Sequence, residues 1–401
     1  MLPCVSSSER DHPDAVSSQT MKQNGRSDAL YSKRERFLMA KTWFYVAALF
    51  VMSLAVCGCS NVNLLCNVSI GPTQGIINHY CSVDSYCGTP GLVTLPDGNL
   101  LTAFEVNNGV TTQLSIDGGA TWGPGSTVYT VANPYIALGY PSMTLLPNGT
   151  LFLGFSPALR PWNGVPTYMI GTIGAGDIIT WSAPVSISTP GWTAGCWAAS
   201  PVVHLANGNL LWPVWCYNNT IAGGLPASST VMLSTDGGLT WPKQVTVGNG
   251  ASGSDYDESA AVVYPHGDVV MIIRQTNADE SDAWLRSKST DNGNTWSTPS
   301  LVVNNVAAGR PTLALLPSGG LVLLGRDTIA GVITTGFGTS WDEGLTFSTF
   351  TDLGVGGVDQ YDAMSLLPDG SIAVVTAHGT PTNVDYRNLV DLCSSPLGPS
   401  K

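Results

Sequence analysis

Six times along this chain an apolar run, a tight turn closed by glycine and a second apolar run follow one another. They are GLVTLPDGNLLTAFE about Gly98, PSMTLLPNGTLFLGF about Gly149, PVVHLANGNLLWPVW about Gly208, ESAAVVYPHGDVVMIIR about Gly267, PTLALLPSGGLVLLGR about Gly319 and YDAMSLLPDGSIAVV about Gly370. The turn glycines stand 51, 59, 59, 52 and 51 residues apart. Each unit reads as a β-hairpin. One such unit cannot bury both its faces, so a repeat of this period implies units stacked on like neighbours, as in radially arranged four-stranded blades. The expectation is therefore one all-β domain over residues 88–393, a six-bladed β-propeller with four-stranded antiparallel blades, although the length alone would allow two or three domains. A content of 45 Gly, 26 Pro, 12 Trp and only 11% charged residues suits short strands joined by turns and leaves little room for amphipathic helices.

The chain ahead of the repeats has a different character. Residues 1–38 are polar and without hydrophobic periodicity, which reads as a disordered extension or as a start codon assigned too early, with Met39 the true start. The segment MAKTWFYVAALFVMSLAVCGCS, Met39 to Ser60, has a basic residue at Lys41 and then an apolar core. A core of roughly 15 residues is short for a membrane span and normal for a signal peptide. Its end, Val56-Cys57-Gly58-Cys59, resembles a bacterial lipobox, which would make Cys59 a lipidated first residue; the alternative is an uncleaved anchor. The expected location is thus outside the cytoplasm, either lipid-anchored in the cell envelope or secreted. Residues 60–87 read as a linker in which Gly75-Ile76-Ile77 supplies an outer strand to the last blade, and 394–401 as a tail.

Beyond Cys59 there are 9 Lys+Arg against 23 Asp+Glu. So acidic a surface excludes nucleic acid as a partner, and it excludes contact with anionic membranes except through a lipid anchor. Six cysteines remain there, an even number that favours disulfides in an exported chain. Cys196 and Cys216 lie 12 before and 8 after Gly208, so they flank one hairpin closely enough to bridge its open end. Cys81 with Cys87 could staple a loop, and Cys66 with Cys393 would tie the start of the ring to its end; buried unpaired thiols are the alternative.

A second motif follows several of the hairpins. Ser115 to Trp122 (SIDGGATW) recurs as Ser234 to Trp241 (STDGGLTW), as Ser289 to Trp296 (STDNGNTW) and, more worn, as Ser340 to Phe347 (SWDEGLTF), while Thr180-Trp181 is a remnant. In S-x-D-x-G-x-T-W the Asp accepts backbone N–H bonds within a turn, the Gly supplies positive φ and the Trp packs beneath. These are Asp boxes, and four of them on six hairpin repeats resemble the sialidase (neuraminidase) superfamily of six-bladed propellers, over about residues 88–393. Asp boxes support the fold rather than an activity, since they are structural turns on the face away from the ligand.

Chemistry is expected at the opposite face, where the hairpins open. The positions nine before and seven after each turn glycine meet there: Thr89, Tyr140, Ala199, Glu258, Arg310 and Tyr361 on the first strand, Glu105, Ser156, Trp215, Arg274, Arg326 and Ala377 on the second. Three of the six arginines beyond Cys59 fall on these positions. Such a cluster could clamp a sugar carboxylate through bidentate, charge-assisted bonds. The resemblance implies a tyrosine nucleophile at Tyr361, whose segment YDAMSLLPDGSIAVV looks like the family's, and a Glu/Arg pair at Glu258 and Arg274. A neutral phenol avoids the repulsion that a carboxylate nucleophile would meet from an acidic sugar, and Glu258 would take its proton. Gly88-Thr89-Pro90 stands where the family has Arg-Ile-Pro, so Arg310 and Arg326 are the candidates to complete the clamp. Glu105 is the carboxylate nearest the family's acid/base position, where this chain has Val106-Asn107-Asn108. Tyr140 and Trp215 fit either a sugar-stacking floor or the plain lining of a channel.

Asp255 and Asp257 either hold a hard cation or belong to a solvated turn, the second being favoured. His204, His266 and His378 show no ligand spacing. The sequence thus points to a monomeric sialidase-like glycosidase acting on sialic acid or another acidic glycan without a cofactor. The alternatives are a non-catalytic glycan- or surface-binding propeller and a hydrolase or lyase of another uronate-bearing polysaccharide.

Overall fold

Every one of the six turn glycines adopts a φ between 81 and 100°, a region costly for any side chain, and donates its N–H to the carbonyl three residues back, as in Gly98 to Leu95 at 2.9 Å. The turns therefore close where the repeat placed them. In the computed structural model the described residues are 68–70, 75–77, 89–106, 109–131, 136–159, 163–198, 200–217, 226–250, 254–277, 282–306, 309–354, 359–378 and 383–391. All belong to one compact unit, 63–401.

They form six antiparallel sheets, one per hairpin. Counting from the first hairpin, sheet one runs Gly91–Thr94, Leu100–Val106, Gly109–Ser115 and Ser126–Thr130 from the inside outward; sheet four runs Ser254–Val263, Val269–Asn277, Asp282–Ser289 and Ser300–Val306. Sheets two, three and five repeat this meander from Ile136–Leu145, Cys196–Ala198 with Val203–His204, and Thr312–Leu315. Sheet six takes Asp359–Leu366, Ile372–His378 and Asn383–Asp391 from the end of the chain and its outer edge from the beginning, since Val68–Ile70 and Gly75–Ile77 both pair antiparallel with Asn383–Asp391. Sharing one sheet between the two ends of the unit closes the ring.

Hydrophobic cores lie between successive sheets. Leu101, Ala103, Met143 and Leu153 join sheets one and two; Phe152, Trp212 and Trp241 join two and three; Leu211, Val231, Met271 and Ile273 join three and four. Val270 with Leu321, Val322 with Met364, and Leu100 with Ala363 complete the circuit back to sheet one. The chain is an all-β propeller with antiparallel four-stranded blades, and no α-helix occurs among the described residues. None of those residues forms a helix long and apolar enough to cross a membrane.

The innermost strands are stitched by small hydroxyls. Ser142 Oγ and Thr144 Oγ1 donate to Ser200 O and Val202 O, Ser200 Oγ donates to Ser259 O, Thr312 Oγ1 to Asp362 O, and Ser365 Oγ accepts from Thr94 N. These residues bound a central channel of about 450 Å³, lined by one inner strand from each sheet.

The Asp boxes form as expected at the end of the third strand in sheets one, three, four and five. In the second, Asp236 Oδ1 accepts the N–H of Thr240 at 2.9 Å and Oδ2 its hydroxyl at 2.5 Å, while Ser234 Oγ takes the N–H of Gly238. The fourth box departs at Glu343, which sits at φ 59° where the first two carry glycine. Basic groups of sheet four hold it there: Arg286 Nε donates to its carbonyl at 2.6 Å and Lys288 Nζ to its carboxylate at 2.7 Å. His266 Nε2 also lies 3.2 Å from Glu343 Oε1 and 3.3 Å from Asp268 Oδ2, so a histidine without ligand spacing in sequence does join two carboxylates in space. Lys288, 2.5 Å from Asp268, supplies the positive charge of that cluster.

Cys196 and Cys216 are directly opposite in the ladder and disulfide-bonded. Cys59, Cys66, Cys81, Cys87 and Cys393, and with them the lipobox and the other two pairings, lie outside the described residues.

Candidate active site

Three of the inner strands carry a bulge just above the channel. The pairing register shifts between Gly139 and Ser142 in sheet two, between Tyr256 and Ser259 in sheet four, and between Asp359 and Tyr361 in sheet six. A bulge sets two residues against one, bends the strand and re-aims a side chain. Each of these delivers a site residue: Tyr140, Glu258 and Tyr361. Tyr140 pays for its position with a φ of 61°, and its N–H is taken by Thr89 Oγ1 at 3.1 Å, so the threonine that replaces the expected arginine holds this strained residue instead.

Tyr361 Oη donates to Glu258 Oε1 at 2.7 Å, a bond that crosses the ring from sheet six to sheet four. The other oxygen, Oε2, accepts from Arg274 Nη1 at 2.9 Å. Burial to 2% exposure pushes the Glu258 carboxyl toward the neutral form. Against it act the Arg274 charge, hydrogen bonds from Tyr361 and Tyr140, and Arg310, which together hold Glu258 below the usual carboxylate range. An ionised carboxylate bonded to a phenol is a ready proton acceptor.

Arg310, 4% exposed, lies with its guanidinium carbon 5.6 Å from the centre of the Tyr361 ring and donates through Nη2 to Asp362 O at 2.7 Å and Pro90 O at 3.2 Å. It therefore joins sheets five, six and one beneath Tyr361. Burial lowers its pKa, opposed by Glu258 and the two tyrosines. Tyr140 packs edge-on against Tyr361, with centroids 5.6 Å apart, and against Trp197 and Trp215. Burial first, and then Glu258 and Tyr361, raise its phenol well above the ordinary value.

The sequence-predicted residues thus separate into two groups. Tyr361, Glu258, Arg274, Arg310 and Tyr140 converge at the mouth of the channel. Glu105, Arg326 and Trp215 stand, like Arg274, on second strands, one strand out from the channel wall. Glu105 is 7% exposed at the end of Leu100–Val106, and the loop residues 107–108 lie outside the described residues, as does Ala199. The Arg326 side chain packs against Gly309. Trp215 stacks on Trp197, with centroids 5.6 Å apart and planes 7° from parallel; at 4% and 6% exposure the two form a buried stack, not an open floor. Trp197 was missed, although the register fixed by Cys196 and Cys216 places it directly opposite Trp215.

One expectation is overturned. Asp255 and Asp257 belong neither to a solvated turn nor to a cation loop. Both lie in strand Ser254–Val263, where Asp255 Oδ1 accepts the N–H of Ala227 at 2.7 Å and Asp257 Oδ2 lies 3.9 Å from Arg274 Nη1. Arg274 is also met by Asp282, 3.5 Å from Nη2. The bulge and the neighbouring third strand thus fold three acids around one guanidinium.

The model of the BNR repeat-like domain matches residues 102–400. The chain belongs to that family. This BNR-repeat propeller resembles several solved structures. A protein of unknown function from Dyadobacter fermentans superposes with a TM-score of 0.65 at 18% identity, over 81% of this chain and 99% of that one. The Hadza microbial sialidase Hz136 gives 0.60 at 17%, over 77% and 66%. The leech intramolecular trans-sialidase complexed with 2,7-anhydro-Neu5Ac gives 0.59 at 12%, over 81% and 71%. At these identities the likeness establishes the fold of the BNR-repeat propeller. None of the curated proteins matches its sequence.

Proposed function

We propose that the chain is an exported, lipid-anchored glycoside hydrolase whose six sheets are the six blades of a sialidase ring, acting with retention on sialic acid or a related acidic sugar. The observation that carries this reading is the 2.7 Å bond from Tyr361 to Glu258, which pairs a neutral nucleophile with an ionised base at the channel mouth. Tyr361 Oη attacks the anomeric carbon while its proton passes to Glu258, and the leaving oxygen takes a proton from Glu105. Water, deprotonated by the same acid/base, then cleaves the tyrosyl–sugar bond as the departing Tyr361 oxygen takes its proton back from Glu258, so two inversions give net retention. Arg274, Arg310 and Arg326 hold the sugar carboxylate. Neither metal nor cofactor enters this scheme.

The test is turnover of a fluorogenic sialoside by the purified protein. Release above that of Tyr361→Phe supports the reading, and equal release removes it.

A second reading is favoured by Val106-Asn107-Asn108, which stands where the family has its acid/base: a propeller that binds a glycan without cleaving it. A glycan array separates the two, since a binder leaves its ligand intact.

A further inference from the structure

Asp257 belongs to this site and has no part in the scheme above. In sheet four Tyr256 pairs with Gln275 and Ser259 with Ile273, so Asp257 and Glu258 together oppose the single residue Arg274. That count is what a bulge does, and it turns two consecutive carboxylates toward one guanidinium where a regular strand would send them to opposite faces. Nη1 lies 2.9 Å from Glu258 Oε2 and 3.9 Å from Asp257 Oδ2. Nη2 is shared with Asp282, whose Oδ1 is buried without a hydrogen-bond partner, as is Arg274 Nε. One cation therefore serves three acids, and its donors are not saturated.

We propose that Asp257 is a positioning residue that competes with Glu258 for Arg274, so that Glu258 keeps its guanidinium only while Asp257 carries a proton. This deepens the Tyr–Glu reading, and its first test is independent of turnover.

Asp257 Oδ1 accepts the Glu258 N–H at 2.8 Å and Oδ2 accepts from Thr276 Oγ1 at 3.4 Å, so a proton on Oδ2 takes its remaining lone pair. With 13% of the side chain exposed, the carboxyl can exchange its proton with water. The surroundings favour the protonated form. Glu258 and Asp255 flank it on its own strand, Asp282 faces it from the third strand, and the Tyr217 phenol of sheet three feels its charge. Arg274 is the opposing cation, while Arg326 acts on Asp282, and Arg310, Tyr140 and Tyr361 act on Glu258. Burial is the largest influence, and with the acidic neighbours it outweighs Arg274 and pushes the carboxyl up to about 8. Above that pH the proton leaves to solvent, a second anion draws on Nη1, and Glu258 shares its partner. The added charge also opposes an acidic sugar.

The experiment is a carboxyl-carbon NMR titration of the full-length protein labelled with ¹³C at Asp Cγ. One resonance should titrate with a midpoint near 8 and be missing from Asp257→Asn. In Glu258→Gln, which removes the neighbouring charge, the same midpoint should fall by a unit or more, a tenfold change in the proton affinity. A spectrum in which every Asp titrates below pH 6, or a midpoint that Glu258→Gln leaves in place, overturns the proposal even if Asp257→Asn fails to fold.

If the sialoside is turned over, kcat/KM of the wild type should fall about tenfold per pH unit above the midpoint, and that limb should be absent from Asp257→Asn; its persistence there also overturns the proposal. If no sialoside is turned over, the hydrolase reading fails while the titration still decides the role of Asp257.

Discussion

Replacing Glu258 by glutamine tests how far the site neutralises its own charges. Glu258 is 2% exposed and bonded to Arg274 at 2.9 Å and to Tyr361 at 2.7 Å. Removing one partner of a buried ion pair typically costs about 3–5 kcal/mol, because the other charge is left uncompensated. Arg274 is not left so, since Asp282 lies 3.5 Å and Asp257 3.9 Å from its Nη atoms, and Asp257 ionises more readily once the Glu258 charge is gone. What remains is an amide with a single acceptor oxygen: the Arg274 bond loses its ion–ion part and the Tyr361 bond must reverse, about 1 kcal/mol each, so Glu258→Gln should cost ~2 kcal/mol at pH 7. Adding Asp257→Asn should then cost more than the sum of the two single changes. Guanidinium denaturation of the three variants at pH 7 measures this. A loss of about 4 kcal/mol from Glu258→Gln alone, or strict additivity with Asp257→Asn, would refute the argument that the acids substitute for one another. In a sialoside assay the same variant should lose about 10²–10⁴-fold in turnover, since an amide cannot accept the Tyr361 proton.

The other predictions concern the frame. Hydrogen bonds hold the carboxyls of Asp117, Asp236 and Asp291 below their ordinary value, and they do so against burial at Asp342. A depressed folded pKa contributes stability that is present above the unfolded value of about 3.9 and is lost as pH falls through the folded one, so the melting temperature should drop steeply below pH ~4, while above it the boxes add no further pH dependence. Asp342→Ala should cost about 1–2 kcal/mol in denaturant midpoint without altering ligand binding at the opposite face. Cys196→Ser with Cys216→Ser releases a link across 20 residues and should cost ~3 kcal/mol by chain entropy, read as a lower midpoint under non-reducing conditions only. Gly154→Ala places a Cβ 2.5 Å from Trp212 Cζ2 inside the core between sheets two and three, and overpacking of that kind should cost about 1–3 kcal/mol in thermal unfolding.

Much of the site was legible because it shares the register of the turns. Glu258, Arg310, Tyr361 and Tyr140 all stand nine residues before a turn glycine, and a fixed offset along equivalent strands puts side chains at one height around a ring. Offset along the strand gives height but not direction. A strand that alternates without interruption would turn Asp257 away from Glu258, and only the bulge, which leaves apolar alternation intact on either side of it, brings both to Arg274. For the same reason three arginines on adjacent blades read together in the sequence, and only the fold shows what else they meet: acids from the bulge and the third strand at Arg274, backbone carbonyls at Arg310. Trp215 read equally as a sugar platform or as channel lining because its partner Trp197 lies on another strand.

The sequence alone determined the number of sheets, the glycine turns, the Asp boxes and the height of the site, because each depends on contacts within one repeat or on the period between repeats. The tertiary structure decided which charges remain available, since a guanidinium is claimed by whatever acids the folded strands bring within about 4 Å of it. It also decided how the ring closes, with Gly75–Ile77 pairing to Asn383–Asp391 across the whole length of the domain. Local pattern fixes backbone pairing over short separations; the balance of buried charge is set by residues far apart in the chain and is known only when they meet.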